Sequence, residues 1–441
     1  MTNSPRQYLL TALQQLCAAR DWQWPDGVQV DEPPAHVGAD YATNIALQIS
    51  RTLGQPPRQI AEGLVPALLE DACIESAEIA GPGFINVKFT DGFFIESLSA
   101  LRADERLGVP VLSSKRVVID FGGPNVAKPL HVGHLRSSIL GESLKRIARF
   151  AGDTVYGDIH MGDWGTPMGM LLAYLQNEHP DWPYFQEGFT DVSGESPVSI
   201  EDLKTLYPLA AAKFKEDPEF AKQALAATLK LQGGDFGLTA LWKHFVDVSV
   251  VAIKENMDEL DVEFDWWYGE SHYHDRIAPL VEKLRTSGAA VESDGALVIP
   301  IASMPDEPPM ILTKSDGAFL YSTTDLAAVE ERVSVDKLDL LLYVVDQRQK
   351  LHFQQLFAVA KQVGVAAPET HMEHLGFGTV NGPDGKPFKT RAGGVMQLKD
   401  LLILAHEKAE ERLAETETAR EYPEDERKQV VHAVALAALK Y

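Results

Sequence analysis

The chain has 441 residues and a mass of 48.5 kDa, enough for two to four domains with ample buried core. Its 45% hydrophobic and 24% charged residues are ordinary for a soluble globular protein, and its two cysteines, Cys17 and Cys73, lie in no CxxC motif or histidine cluster, which argues against disulfides and structural zinc and fits a reducing cytoplasm. A net charge of −24 repels nucleic acid at long range, so any RNA contact must come from a local basic face.

Residues 1–108 read as a small α+β domain. Met1-Thr2-Asn3-Ser4-Pro5 precedes an amphipathic helical pattern rather than a signal peptide, and no long apolar span follows, so no membrane partner is expected. Helical patterns at 8–19, 44–53 and 57–69 lead to strand-like Glu78-Ile79-Ala80, a Gly81-Pro82-Gly83 break and a second strand over 84–89. From 109 the pattern becomes α/β. Val117-Val118-Ile119-Asp120 predicts a buried strand, Gly122-Gly123-Pro124 breaks it, and apolar residues at helical spacing after His134 open a helix. A strand over 155–159 completes a first half (109–170) of a doubly wound parallel sheet. Residues 171–262 read as a helical insertion, with helices at 213–231 and 241–260. The second half (263–400) is expected to resume with a strand at Val262-Glu263-Phe264-Asp265 and to include strands 296–299 and 340–345. Residues 401–441 are helical and charged, with a turn at Tyr422-Pro423.

The most informative stretch is His131-Val132-Gly133-His134. A strand, a glycine-bearing turn and a helix N-terminus together make an anion site, because unpaired N–H groups and the helix dipole face one point. Two histidines there can donate N–H bonds to phosphate oxygens, and Gly133 lets a nucleotide approach the backbone. By itself the tetrad is short and also fits surface or metal-binding histidines; the flanking strand and helix favour the nucleotide.

With Pro124-Asn125-Val126-Ala127-Lys128 before it and Leu135-Arg136-Ser137 after it, the stretch resembles the first signature of class I aminoacyl-tRNA synthetases, and in detail the arginyl-tRNA synthetases. The similarity continues in family order through Gly162-Asp163-Trp164-Gly165-Thr166, Tyr268-Gly269-Glu270-Ser271, Leu320-Tyr321-Ser322-Thr323-Thr324-Asp325-Leu326-Ala327, Tyr343-Val344-Val345-Asp346 with Gln349, and Gly376-Phe377-Gly378-Thr379 to Lys386-Pro387-Phe388-Lys389-Thr390-Arg391.

The resemblance implies a Rossmann-like, HUP-type catalytic domain with a helical insertion, preceded by the α+β domain and followed by the start of a helical bundle. It implies arginine activation with ATP and Mg²⁺, the metal travelling with the nucleotide rather than in a dedicated protein site, then transfer to tRNA(Arg) by a cytoplasmic monomer. His131 and His134 become phosphate donors and Lys128 a neighbouring point charge. Pro124, Val132, Gly133, Gly378 and Lys386 line the ATP site. Lys389 takes the role of the second-signature lysine, although the usual Lys-Met-Ser-Lys-Ser form is absent. Asn125 and Gln349 hold the amino acid's amino and carboxylate groups. Gly122 stands where arginine enzymes commonly carry serine, removing a hydroxyl near that amino group.

A guanidinium calls for carboxylates. Asp120 ends the strand beneath the turn, and Asp325 pairs at i,i+4 with Tyr321, so both would share a helix face. In the first domain the resemblance points to Tyr41 and Asn44 as tRNA contacts; from the residues alone, Tyr41 fits base stacking and packing at a helix start equally. The family continues past the sequence resembling Ala437-Ala438-Leu439-Lys440-Tyr441 into a helical anticodon-binding domain, so the chain reads as a fragment ending in that domain's first helices, or as a truncated paralogue serving another acceptor. A non-catalytic nucleotide- or RNA-binding relative is the third reading, which the retained His131, His134, Lys389, Asp120 and Asp325 disfavour.

Overall fold

A computed structural model of the chain describes residues 4–111, 114–190, 194–315, 317–379, 381, 396–416 and 422–441. Two compact units divide at residues 112 and 113. In the first, helix α1 (Pro5–Ala18) starts on Ser4, whose Oγ accepts from the Gln7 N–H. Strands β1 (Val30–Asp31) and β2 (Tyr41–Thr43) precede α2 (Ile45–Leu53) and α3 (Pro57–Leu69), and β3 (Ile74–Ala80), β4 (Phe84–Phe89) and α4 (Asp91–Ala103) follow. The strands form an antiparallel sheet in the order β1-β2-β4-β3. Alternate residues Ile85, Val87 and Phe89 of β4 are buried against Leu9, Leu13, Ile49 and Leu64 of the helices.

The second unit is built on β5 (Arg116–Phe121), whose last five residues are all buried. Such a run suits a strand covered on both faces. Val117, Ile119 and Phe121 join one core, whereas Val118 joins another. Helix α5 (Val132–Ala151) covers the first face; at Gly141 a Cβ would meet the Phe121 ring at 2.1 Å, so helix and strand approach only because that side chain is missing. The next strand is β6 (Thr154–Asp158), and α6 (Thr166–Glu178) leads into the insertion, α7 (Ile200–Glu216), α8 (Pro218–Gln232) and α9 (Phe236–Glu259). The pattern over 213–231 is two helices rather than one. Asp217 ends α7 and caps α8 by accepting from the Glu219 and Phe220 N–H groups, with Pro218 in the first turn.

After α10 (His274–Thr286) come β7 (Val291–Ser293), β8 (Ala296–Ile299), β9 (Met310–Thr313), α11 (Tyr321–Ser334), β10 (Leu340–Val344), α12 (Lys350–Gln362), β11 (His371–His374), α13 (Leu398–Ala414) and α14 (Glu424–Lys440). The central sheet runs β11-β10-β5-β6, all parallel, with helices on both faces: a Rossmann-like doubly wound fold.

Two strands expected in that sheet are not there. Ala296–Ile299 pairs antiparallel with β7 and β9 in a separate three-stranded sheet, because Asp294 (φ 49°) and Gly295 (φ 80°) form a tight local hairpin. Residues 262–265 form no strand. The Glu263 N–H donates to Glu142 and its carbonyl accepts from the buried Lys145 ammonium, so α5 side chains occupy the groups a ladder would need. Among the described residues, a single bridge, Asp158 to Trp266, ties this stretch to the sheet. Helix α5 also opens at Val132, two residues before the expected start, with His131 as its cap.

Candidate active site

A cleft of about 720 Å³ opens at the carboxyl ends of β5 and β10, where the chain's progress across the sheet reverses. One wall is the first turn of α5. His131 Nδ1 accepts the Gly133 N–H at 3.0 Å, and His134 Nδ1 accepts the His131 N–H at 3.1 Å, a reciprocal cap made of two imidazoles. An N–H can only donate, so both Nδ1 atoms carry lone pairs and the ring protons sit on Nε2. Burial, with the Lys128 charge adding to it, pushes the His131 pKa down; burial and the neighbouring His131 carry His134 down to about 3. Two neutral N–H donors therefore stack 4.0 Å apart at a helix N-terminus. A Cβ at Gly133 would meet the His131 ring at 2.7 Å, so glycine is required for this cap.

The turn leading to it is held by backbone bonds: Gly123 N–H to Ile159, Val126 N–H to Gly162, and Gly162 N–H to Pro124. Gly122 adopts φ +87°, and a Cβ there would meet Phe264 Cζ at 3.1 Å, so serine would be strained at this position. Pro124 is buried beneath the turn, whereas Asn125, Val132 and Gly133 line the cleft. Lys128 does not. Its ammonium lies 4.6 Å from the centre of the Tyr207 ring. Lys386 and Lys389 lie outside the described residues. Both flanks of their segment are tied to α5: Arg136 Nη1 donates to the Gly378 carbonyl at 2.8 Å, and the Val132 N–H donates to Met396 at 3.0 Å.

The opposite wall is charged. Strand register sets Asp120 level with Asp158 on one side and Tyr343 on the other. Arg332, fully buried on α11, donates Nη2 to Asp120 at 2.7 Å and to Asp158 at 2.6 Å. Asp120 is thus already engaged by an internal guanidinium; burial still holds its pKa above the usual carboxylate range against the pull of Arg332 and His160. Asp325 accepts from His352 at 2.7 Å and lies 3.5 Å from His160. Burial raises its pKa, but the two imidazoles outweigh this and hold it well below the usual range. His160 experiences the converse: burial lowers it, and Asp325 and Asp120 carry it up to about 9. Its left-handed backbone (φ 42°) is secured by its N–H donating to Asp158. Glu270 faces this cluster, and burial and Asp325 raise its pKa to about 7 against the pull of His160. Tyr321 lies at the rim with its ring 4.9 Å from that of His352, and Gln349 is exposed in the cleft at the start of α12.

The sequence reading did not single out Asp158, His160, Glu270, Arg332 or His352. Arg332 follows Asp325 by seven residues, two helical turns, so helical spacing would have placed it on the same face; Asp158 ends the strand beside Asp120, and His160 lies two residues beyond it. In the first unit, the Asn44 amide is used internally, accepting from the Gln29 N–H at 2.8 Å and donating to Gly27 at 3.1 Å, while Tyr41 makes an edge contact with Phe89.

Residues 97–441 match the family described as tRNA synthetases class I (R), catalytic domain, and residues 6–89 match the arginyl tRNA synthetase N terminal domain. Arginine–tRNA ligase of Maricaulis maris is 46% identical over 91% of this chain and 69% of its own length; that of Francisella tularensis is 40% identical over 91% and 68%. Among solved structures, the Plasmodium falciparum arginyl-tRNA synthetase superposes with a TM-score of 0.72 at 24% identity, covering 98% of this chain and 73% of its own. The Thermus thermophilus enzyme gives 0.67 at 21%, covering 99% and 74%. Both likenesses are of fold.

Proposed function

The chain belongs to the arginyl-tRNA synthetase family, and from that premise we propose how its cleft works. It is an arginine–tRNA ligase: an arginine carboxylate oxygen attacks the α-phosphorus of ATP, pyrophosphate leaves, and the arginyl group passes from the adenylate to the terminal adenosine of tRNA(Arg). The observation that carries the reading is the pairing of two fixed neutral N–H donors at a helix N-terminus with a carboxylate wall across one cleft.

The phosphates lie on the first turn of α5, where His131 and His134 Nε2–H groups and the helix dipole meet the charge that develops as pyrophosphate leaves. Preformed donors need no reorganisation at that moment. Lys386 and Lys389 supply cations from the segment between the two anchored flanks, and Mg²⁺ arrives on the nucleotide. Lys128, resting on Tyr207, is assigned no phosphate contact. Asn125 and Gln349 orient the amino and carboxylate groups. Asp325 and Glu270 read the guanidinium, and Asp120, its Oδ2 held by Arg332, positions that wall rather than binding the substrate. Tyr41 remains the candidate for stacking on tRNA from the first unit. The reaction belongs in the cytoplasm, where Cys17 and Cys73 stay reduced; both are free thiols.

The test is arginine-dependent ATP–pyrophosphate exchange by the full chain with tRNA(Arg) supplied. His134→Ala should raise the barrier by about 2–4 kcal/mol, the cost of one lost transition-state donor. Undiminished exchange in a folded variant would remove the phosphate role from this turn.

A further inference from the structure

Outside the cleft, one cluster of metal-ligating side chains lies where three helices meet. Glu259 is the last residue of α9, His406 lies within α13, and His432 lies within α14. Their ligand atoms all fall within 4.8 Å of one another. His406 Nε2 is 3.1 Å from His432 Nδ1 and 3.6 Å from Glu259 Oε1. Tetrahedral zinc, with bonds of about 2.0–2.1 Å, sets neighbouring ligand atoms about 3.3 Å apart, so these two separations need little adjustment.

The proton placement on His406 adds a second observation. Its Nδ1 lies 2.8 Å from the Leu402 carbonyl oxygen. A carbonyl only accepts, so Nδ1 carries a proton, and in the neutral ring Nε2 presents its lone pair toward His432 and Glu259. A backbone carbonyl orienting one imidazole nitrogen while the other faces the metal is the usual support of a histidine ligand. The second such cluster among the described residues, Asp120, Asp158 and His160, differs: the Arg332 guanidinium bonds to both of its carboxylates, so its cation is internal.

We infer that Glu259, His406 and His432 form a site for a divalent transition ion of the zinc class, with water as the remaining ligand. Two imidazoles and a carboxylate suit zinc, cobalt or nickel better than magnesium or calcium. The consequence is mechanical. Helix α14 fully buries only Ala435, with Leu436 and Leu439 partly packed against the large core. A bound ion would join α14 and α13 to the end of α9 and fix how the terminal helical pair docks on the insertion.

The experiment uses the full chain, stripped with a chelator and titrated with Co²⁺ alone. One equivalent should give a tetrahedral cobalt spectrum without a thiolate charge-transfer band, be displaced by Zn²⁺, and raise the melting temperature. His432→Ala, an exposed position, and Glu259→Gln, which keeps side-chain shape, should weaken binding by at least the roughly 10–100-fold that loss of an outer-shell partner costs. The double variant His131→Ala with His134→Ala should bind as the parent does. If no tetrahedral spectrum develops, if His432→Ala binds cobalt as tightly as the parent, or if binding disappears with the two cleft histidines, the cluster is an imidazole–imidazole hydrogen bond and no metal site.

Discussion

The two walls of the cleft are built on opposite plans. The wall we assign to phosphate comes from one contiguous turn, and its hydrogen bonds join residues two and three positions apart. Its titratable groups are driven neutral, so that it offers N–H donors rather than charges. The wall we assign to the substrate guanidinium gathers Asp120, Asp158, His160, Glu270, Asp325, Arg332 and His352 from across the unit; the Arg332 bonds alone span 212 and 174 positions. Here Asp120, Asp158 and Asp325 are paired with Arg332, His160 and His352, while burial pushes Glu270 up to about 7. A site for polyanionic phosphate can rest on backbone dipoles and neutral donors, because the ligand brings its own charge. A site for a single cation must hold unneutralised carboxylate in a buried place, which is stable only when imidazole and guanidinium partners share it.

The sharpest way to break this comparison is Asp325→Asn. A neutral amide leaves His160 and His352 without their shared carboxylate and the substrate guanidinium without its ionised partner. Discrimination of arginine over citrulline should fall by up to about 10⁴, the range open to a site built for buried polar pairing. Aminoacylation competition between the two amino acids measures this. If the variant selects arginine as well as the parent, Asp325 is not the reader and Glu270 or Asp120 takes its place.

Arg332→Met tests whether the internal guanidinium holds the charged wall together. It leaves Asp120 and Asp158 buried side by side without their cation, and removing one partner of a buried ion network costs about 3–5 kcal/mol. Urea denaturation of the second unit's transition should show that loss, whereas the same replacement at Arg285, an exposed helix arginine paired with Glu282, should leave the midpoint almost unmoved. Equal midpoints for the two variants would mean that Asp120 and Asp158 share a proton and need no arginine.

The difference between the walls also explains what could be read in advance. The strand at 117–120, the glycine turn and the paired histidines follow from local spacing, and β5, α5 and the cap occur as those spacings dictate apart from the earlier helix start. Local chemistry was likewise decisive where the expectation failed: the Asp294-Gly295 turn folds 296–299 into a hairpin, and side chains of α5 capture Glu263 before it can join the sheet. Asp120 was found because it ends a strand, but its engagement by Arg332 depends on register and helix docking, which no window of sequence carries. Whether a carboxylate is free for substrate is a property of the fold rather than of the motif.

The smallest effect separates the walls by pH. Glu270 titrates at about 7 in the cleft, whereas His134 is held neutral down to about 3 and His160 remains charged up to about 9. Between pH 6 and 8, then, Glu270 changes charge while those two histidines do not. As a carboxyl with a raised pKa it is protonated below 7 and ionised above it, and only the ionised form pairs with a guanidinium. The KM for arginine should therefore rise as pH falls through 7, by roughly fivefold between pH 7 and pH 6, since the ionised fraction of a group with a pKa of about 7 falls from one half to about one eleventh. The KM for ATP should stay flat over the same interval. Glu270→Gln should level the arginine curve at its acid-side value without tilting the ATP curve. A slope that survives the substitution would assign the titration to a different group and leave Asp325 as the only ionised reader of the substrate.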